Sequence, residues 1–302
     1  MKQFAIFIGV LSAAFIAVAQ PCVPIVAPQL SENTRKELEQ KMSIAKTEYE
    51  KDTSNADAII WYGRRTAYLG EYIKAIEIFS KGISIHPADA RLYRHRGHRY
   101  ITVRCFDKAI ADFKKAAKLI KGKPDEIEPD GLPNAKNIPT STLQSNIWYH
   151  LGLCYFIKGD YKKAVKVYKE CLKVSANADM YVATANWMNI SLRKMKKYQE
   201  ANTLYNNIDK NAELIESQDY NYLVEMYRYK NTEKQVDDYA TMITSGKPSL
   251  SSATVNFGIG YYCLLVGYTE KAKEYFKKAI ATNQWSSFGY IAAETCLEKL
   301  KN

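Results

Sequence analysis

A spacing pattern of small and aromatic residues recurs four times along the chain and limits the folds that it can adopt. Four glycines are each followed by an alanine after twelve residues, an aromatic residue after four more, and a small residue after a further three. Internal periodicity of this kind predicts stacked helix-turn-helix units, because one unit alone cannot bury its apolar face. The four sets are Gly63, Ala75, Phe79 and Gly82; Gly97, Ala109, Phe113 and Ala116; Gly152, Ala164, Tyr168 and Cys171; Gly260, Ala272, Phe276 and Ala279.

The pattern resembles the tetratricopeptide repeat, a helical pair with a period of about 34 residues. The resemblance implies an all-α fold: a right-handed superhelical array (α-solenoid) of tetratricopeptide helix-turn-helix repeats. Close matches cover residues 56–89, 90–123, 145–178 and 253–286, and two degenerate copies cover residues 182–215 and 217–250.

The repeats and their interruptions divide the chain into segments. A capping box at Thr34 and Glu37, followed by an apolar stripe, predicts a leading helix before the first repeat. A helical pattern after the last repeat predicts a helix that closes the open end of the array. The predicted segments are a signal peptide (1–19), an N-terminal segment with the leading helix (20–55), repeats one and two (56–123), a proline-rich loop insertion (124–144), repeats three to six, of which four and five are degenerate (145–286), and a C-terminal capping helix (287–302).

The first residues have the features of a secretory signal. Lys2 precedes a mostly apolar run, and Ala17-Val18-Ala19 provides a small-x-small cleavage site, so we expect cleavage after Ala19. A membrane anchor is the alternative, but the run is shorter than a spanning helix requires. Acylation of Cys22 is a third alternative, which Pro21 disfavours because lipoproteins place a small residue there. We therefore expect an exported protein that is periplasmic, cell-surface or secreted, with no transmembrane segment after cleavage.

Export leaves disulfide bonds open as an interpretation, because it would place the cysteines in an oxidising compartment. Their spacing shows no framework, and five of the six lie in apolar helical patterns, where a thiol behaves as a small hydrophobic group. We predict buried thiols. The six are Cys22, Cys105, Cys154, Cys171, Cys263 and Cys296.

The charge is unevenly distributed. The formal net charge is +11, and residues 61–123 contain fifteen Lys or Arg against five acidic residues. The first two repeats are therefore predicted to form one basic end of the array.

The resemblance also implies a ligand-binding groove. In this family the first helix of each repeat lines a concave surface, and the matching positions here change from cationic in repeats one and two to aromatic and apolar in repeat three. Arginine forks bind carboxylates and aromatic rings anchor interfaces, which favours a protein or peptide partner that carries acidic groups. The alternative is that these side chains are solvated or contribute to packing. The predicted groove residues are Arg64, Tyr68, Arg91, Arg94, His98, Tyr149 and Phe156.

The proline-rich insertion interrupts the array between repeats two and three. Its acidic residues have the charge to fold back onto the basic repeats and compete with a ligand; the alternative is a surface insertion without a role. These acidic residues are Asp125, Glu126, Glu128 and Asp130.

No motif for catalysis is found in the sequence. It contains no phosphate-binding glycine loop, no His-Glu-x-x-His helix and no Gly-x-Ser-x-Gly elbow. His95 and His98 have a metal-like spacing, but the surrounding arginines would repel a cation. We predict no enzyme, no cofactor and no metal, and a protein-interaction scaffold or adaptor in a cell-envelope assembly. The alternative is binding of an anionic glycan or membrane surface through the basic repeats; nucleic acid is not expected.

Overall fold

The computed structural model describes residues 22–132, 134–208, 211–246 and 249–301; the predicted signal peptide lies outside them. Within these ranges the chain forms fourteen α-helices, and the only β pairing is an isolated bridge between Ile127 and Thr142. The predicted all-α solenoid of helix-turn-helix repeats is confirmed.

Six helix pairs lie between a leading and a closing helix. The leading helix is α1 (Glu32–Lys51), and the closing helix is α14 (Phe288–Lys299). The pairs are α2 (Ala56–Tyr68) with α3 (Tyr72–Ile85), α4 (Ala90–Thr102) with α5 (Phe106–Leu119), α6 (Leu143–Lys158) with α7 (Tyr161–Val174), α8 (Ala178–Lys194) with α9 (Tyr198–Asn206), α10 (Gln218–Met226) with α11 (Glu233–Thr244), and α12 (Ser249–Val266) with α13 (Thr269–Ala281).

Local sequence signals explain where several helices begin and end. Helix α3 ends at Ile85, two residues before Pro87, which cannot donate a helical hydrogen bond. Asp89 then caps α4 by accepting a hydrogen bond from the backbone N–H of Arg91 at 2.9 Å. The predicted capping box of α1 at Thr34 is wrong, because Ser31 is the N-cap and accepts from the backbone N–H of Thr34.

The recurring glycines allow close contact between the two helices of a unit. A Cβ added at Gly152 would lie 2.4 Å from the ring of Tyr168, and one added at Gly63 would lie 2.5 Å from the ring of Phe79. Any larger residue would force these buried rings to move. The glycine and the aromatic residue of each unit therefore form one packing contact, which explains their fixed spacing in the sequence.

The closing helix does more than cover the end of the array, because the segment around it also contacts the first two repeats. The Trp285 ring stacks on Tyr72 of α3 at 5.8 Å between centroids, and the guanidinium of Arg104 lies 3.9 Å from the Trp285 ring. Arg104 also pairs with Glu294 at 2.9 Å. The C-terminal part of the chain thus folds back onto repeats one and two.

A disulfide bond joins Cys22 to Cys105, across 83 residues of sequence. The prediction of buried thiols is therefore wrong for these two cysteines. The sequence did not indicate this pairing, because Cys105 lies in an apolar helical pattern and Cys22 lies in the segment before the array. Of the four remaining cysteines, Cys154, Cys171 and Cys263 are buried free thiols and Cys296 is partly buried.

None of the helices in the described ranges is both long and apolar enough to cross a membrane.

Candidate functional site

The insertion between repeats two and three contributes a segment that we call the strap and define as residues 125–132 and 134–142. Its two ends meet at the start of α6. The Asp125 carboxylate accepts hydrogen bonds from the backbone N–H of Gln144 at 3.0 Å and from the Thr142 hydroxyl at 2.6 Å. Thr142 is itself the N-cap of α6. The strap is therefore anchored by the same groups that begin the third repeat.

The middle of the strap lies on the first helices of repeats one to three, a surface that we call the groove face. It is defined by Arg64, Arg65 and Tyr68 of α2, Arg94 and His98 of α4, and Asn146 of α6. Arg64 Nη2 donates to the carbonyl oxygen of Pro129 at 2.8 Å, and Arg65 Nη1 donates to that of Gly131 at 2.6 Å.

Gly131 lies directly against Tyr68. A Cβ at this glycine would be 1.7 Å from the Tyr68 hydroxyl and 2.9 Å from Arg64 Nη2. Only glycine therefore fits at this position of the strap while the Tyr68 hydroxyl stays in place.

One strap carboxylate enters a polar slot in the groove face. Glu128 Oε1 lies 2.9 Å from Arg94 Nη2, and Glu128 Oε2 accepts from Asn146 Nδ2 at 3.1 Å. The side chains of Arg94 and Glu128 are each only 10% exposed, so this ion pair is largely shielded from water. Arg94 Nη1 also contacts His95 Nδ1 at 2.9 Å, which makes His95 an acceptor and hence neutral.

The strap continues toward the later repeats. Asn134 Nδ2 donates to Glu216 Oε1 at 3.1 Å, and Thr140 Oγ1 donates to Glu216 Oε2 at 2.5 Å. Asn177, the N-cap of α8, donates to the carbonyl oxygen of Thr140 at 2.9 Å. The strap therefore contacts the array from α2 to the segment before α10.

Helix α14 covers the aromatic part of the predicted groove. The Phe288 ring lies 5.4 Å from His98, 5.3 Å from His150 and 6.3 Å from Tyr149, between ring centroids. Tyr149 is 6% exposed, and its hydroxyl accepts from Trp187 Nε1 at 2.8 Å.

Phe156 is also buried, at 3% exposed, with Trp187 and Tyr261 at 5.0 and 5.4 Å between ring centroids. The expectation that Tyr149 and Phe156 are exposed in an open groove is wrong, because α12 and α14 fold back over them. Their role in binding a ligand stays a prediction, as does that of the other predicted groove residues.

The predicted cationic residues differ in how far the chain already neutralises them. Arg91 pairs with Asp57 and Asp89, each at 2.6 Å, and Arg94 pairs with Glu128. The side chain of Arg99, by contrast, forms no hydrogen bond or ion pair with any residue that the structure describes.

Arg99 lies on the same helix as Arg94. Burial, together with the charges of Arg94 and Arg64, lowers the Arg99 pKa to about 10 against the opposing effect of Tyr68 and Tyr72. It stays charged at neutral pH.

Burial also controls the protonation of three histidines near this surface. Burial, with help from the charges of Arg94 and Arg99, lowers the pKa of His150 to about 3. Burial and neighbouring arginines hold the pKa values of His95 and His98 well below the usual range. All three are neutral at physiological pH, and the positive charge of the groove face comes from arginine.

Five lysines of the second repeat lie elsewhere, four on the outer helix α5 and Lys121 just after it. Their side chains are exposed and form no ion pair with any described residue. The basic end therefore has two separate surfaces, an inner one of arginines and an outer one of lysines. The exposed lysines are Lys108, Lys114, Lys115, Lys118 and Lys121.

The predicted groove residues did not include Arg65 or Arg99, although Arg99 belongs to the arginines that the sequence offers for binding an anionic surface. Each directly follows a predicted groove position, Arg64 and His98 respectively. The sequence could have indicated them, because a long side chain next to a groove position on the same helix can reach the same ligand. Among the described residues no group of three or more His, Cys, Asp or Glu side chains is placed to hold a metal ion.

Comparisons with known proteins agree with the repeat pattern. Residues 145–177 and residues 253–284 match models of the tetratricopeptide repeat. Human "Tetratricopeptide repeat protein 13" is 31% identical over 105 residues, which cover 35% of this chain and 10% of that protein. The chain thus spans about a tenth of the length of this relative. These matches support an assignment of the repeats to the tetratricopeptide type.

Solved structures with similar chains include those of MamA and YrrB. The "Crystal structure of MamA" has a TM-score of 0.44 at 15% identity and covers 59% of this chain and 93% of its own. The structure of YrrB, described as "a TPR protein with an unusual peptide-binding site", has a TM-score of 0.42 at 16% identity and covers 80% of this chain and 93% of its own.

Proposed function

We propose that this protein is an exported scaffold that binds an extended protein segment on the groove face of its first three repeats. The observation that carries the proposal is that a non-helical segment, residues 128–131, already lies there. Arg64 and Arg65 donate to two of its carbonyl oxygens, at 2.8 and 2.6 Å. A surface that binds the main chain of one segment has the donors to bind that of another.

The donors of the groove face are held in place before any ligand arrives. The Arg64 and Arg65 guanidinium groups lie 4.5 and 4.9 Å from the centroid of the Trp61 ring. Cation–π contacts of this kind fix the direction of an arginine fork. Preorganised donors lose less conformational entropy on binding, which favours recognition of a flexible segment.

Export rests on two independent features. The first is the signal-like sequence before Ala19. The second is the Cys22–Cys105 disulfide, since such bonds persist in oxidising compartments. This bond also uses the sulfur that lipidation of Cys22 would need. We therefore favour a periplasmic, surface or secreted protein without a lipid anchor, acting in a cell-envelope assembly through binding rather than catalysis.

A peptide-display selection tests the proposed function. The targets are the mature chain and a strap-replaced variant, in which residues 126–138 are exchanged for the same number of glycines and serines. We expect enriched peptides whose affinity falls at least tenfold with Arg64→Gln. Arg35→Gln, which removes an exposed arginine of α1, is the matched control and should change nothing. Failure to enrich any peptide with either folded target would contradict the proposal.

A second candidate function is favoured by the lysines of α5. Their exposed ammonium groups form no ion pairs with described residues, so they could attract an anionic glycan or membrane surface. Binding to vesicles with anionic lipids should fall steeply with salt. It should also fall with Lys114→Glu combined with Lys118→Glu, and it should not change with Arg64→Gln. Vesicle binding that is insensitive to the lysine changes would exclude this candidate.

A further inference from the structure

We propose that the strap is an intramolecular occupant of the binding site, and that the partner segment is acidic and extended and displaces it. This inference rests on the proposed function and adds the chemistry of the partner. The strap shows which groups the groove face accepts. Its Glu128 carboxylate fits between Arg94 and Asn146, and its backbone carbonyls bind Arg64 and Arg65.

The strap is an incomplete ligand for this surface. Arg94 Nε and Asp130 Oδ2 are both buried without a hydrogen-bond partner. Burial raises the Asp130 pKa, and the nearby Glu216 carboxylate raises it further. A polar atom that is buried without a hydrogen-bond partner destabilises the conformation in which it is buried. A partner segment that accepted a hydrogen bond from Arg94 Nε would therefore bind more tightly than the strap.

Helix α4, which supplies Arg94 and His98 to the groove face, also carries a cation that the strap does not pair with. Arg99 has no ion-pair partner among the described residues, although it shares the electrostatic environment of Arg64 and Arg94. Arginine forks bind carboxylates in bidentate geometry. A partner with two or more acidic residues can place one carboxylate in the Glu128 slot and a second at Arg99.

The cavity beside the strap and the exposure of the strap's apolar side chains also indicate that the strap fills the site incompletely. A cavity of about 320 Å³ remains between the strap and the helices, and it is lined by Ile60, Trp61 and Arg64 together with Ile127 and Pro129. Ile127 itself is 70% exposed, and Leu132 and Ile138 are 57% and 49% exposed. The strap therefore stays in place through polar contacts and contributes little apolar burial. Apolar side chains of a partner could fill this cavity.

The covalent link gives the strap its advantage over a separate molecule. A tethered segment competes at an effective concentration on the order of millimolar. An acidic partner with the same intrinsic affinity as the strap must therefore reach a similar concentration to displace it. Removing or weakening the strap must raise the apparent affinity for acidic segments, and this is the measurable consequence.

The experiment uses fluorescence anisotropy of a labelled peptide with the sequence of residues 123–132. A second peptide, in which every Asp and Glu is exchanged for the amide, is the probe control. We expect the strap-replaced mature chain to bind the acidic peptide at least tenfold more tightly than the unaltered mature chain. The amide peptide should not bind, and Arg94→Gln in the strap-replaced chain should abolish the gain.

A point substitution covers the case in which the strap-replaced chain does not fold. Glu128→Gln removes the carboxylate from the slot without changing the length of the strap, and we expect severalfold tighter binding of the acidic peptide. Glu126→Gln is the matched control, because it makes the same charge change two residues away at an exposed side chain. Equal affinities for Glu128→Gln and Glu126→Gln, or no peptide binding to any folded variant, would overturn the inference.

The peptide-display selection separates this inference from the proposed function. Enriched peptides that are neutral or basic, yet depend on Arg64, would keep the function and refute the acidic partner. Acidic peptides that bind the mature chain and the strap-replaced chain equally would refute displacement of the strap. Enrichment of acidic peptides by the strap-replaced chain alone supports both proposals.

Discussion

Acidification should destabilise this protein through three histidines, the buried His95 and His150 and the half-buried His98. An unfolded chain has histidine pKa values near 6.5, whereas burial holds the pKa of His150 at about 3 and those of His95 and His98 well below the usual range. The folded state thus keeps these rings neutral while the unfolded state binds protons. The stability that they contribute is present above pH 6.5 and is lost as the pH falls toward 3.

The size of the effect follows from proton linkage. Below the unfolded pKa, each such histidine lowers the free energy of unfolding by about 1.4 kcal/mol per pH unit. From pH 7 to pH 5 this is about 2 kcal/mol for His150, and His95 and His98 add to the loss in the same direction. Burial raises the pKa of Asp112, which acts in the opposite direction and offsets part of the loss. Total stabilities are typically about 5–15 kcal/mol, so the change is large.

Urea unfolding followed by circular dichroism at 222 nm, at pH 7, 6 and 5, measures this dependence. His150→Asn should reduce the pH dependence between pH 7 and 5 by about 2 kcal/mol, because it removes one of the three proton-binding differences. The difference between the two proteins cancels the contribution of the carboxylates. A pH dependence that is the same with and without His150 would refute the reasoning.

Three further changes test the packing. Ala164→Glu should lower the free energy of unfolding by at least about 3 kcal/mol, because it places an unpaired charge at a fully buried contact; the exposed Lys162→Glu should have little effect on the melting curve. Cys105→Ser should lower the free energy of unfolding by about 4.5 kcal/mol in the chain-entropy estimate, and a reducing agent should then cause no additional loss. Trp285→Ala should cost about 3–5 kcal/mol and increase hydrogen exchange in α14; unchanged exchange would show that this contact does not hold the helix.

The repeat architecture could be predicted from the sequence because its determinants are local and recur. The contact between Gly152 and Tyr168 joins two helices of one unit, so its spacing is visible in the sequence. The N-cap at Asp89 depends only on neighbouring residues. The cap of α1 shows the limit of such reasoning, since Ser31 and Thr34 both have the required hydroxyl and only the path of the chain decides between them.

The candidate site was only partly predictable, because it depends on contacts between distant segments. The acidic composition of the insertion indicated that it could meet the basic repeats, but not that Glu128 would be the residue in the slot. The return of α14 could not be read from periodicity, since Phe288 has the same helical spacing whether it contacts its own repeat or His98. For the same reason, Tyr149 and Phe156 could not be distinguished from exposed groove residues.

The most direct measurement of the central claim is a crystal structure of the strap-replaced chain with the acidic peptide bound. The account predicts a peptide carboxylate at Arg94 and Asn146 and two peptide carbonyl oxygens at Arg64 and Arg65, in the places that Glu128, Pro129 and Gly131 occupy in the intact chain. A peptide bound on another surface, with the groove face empty, would contradict it.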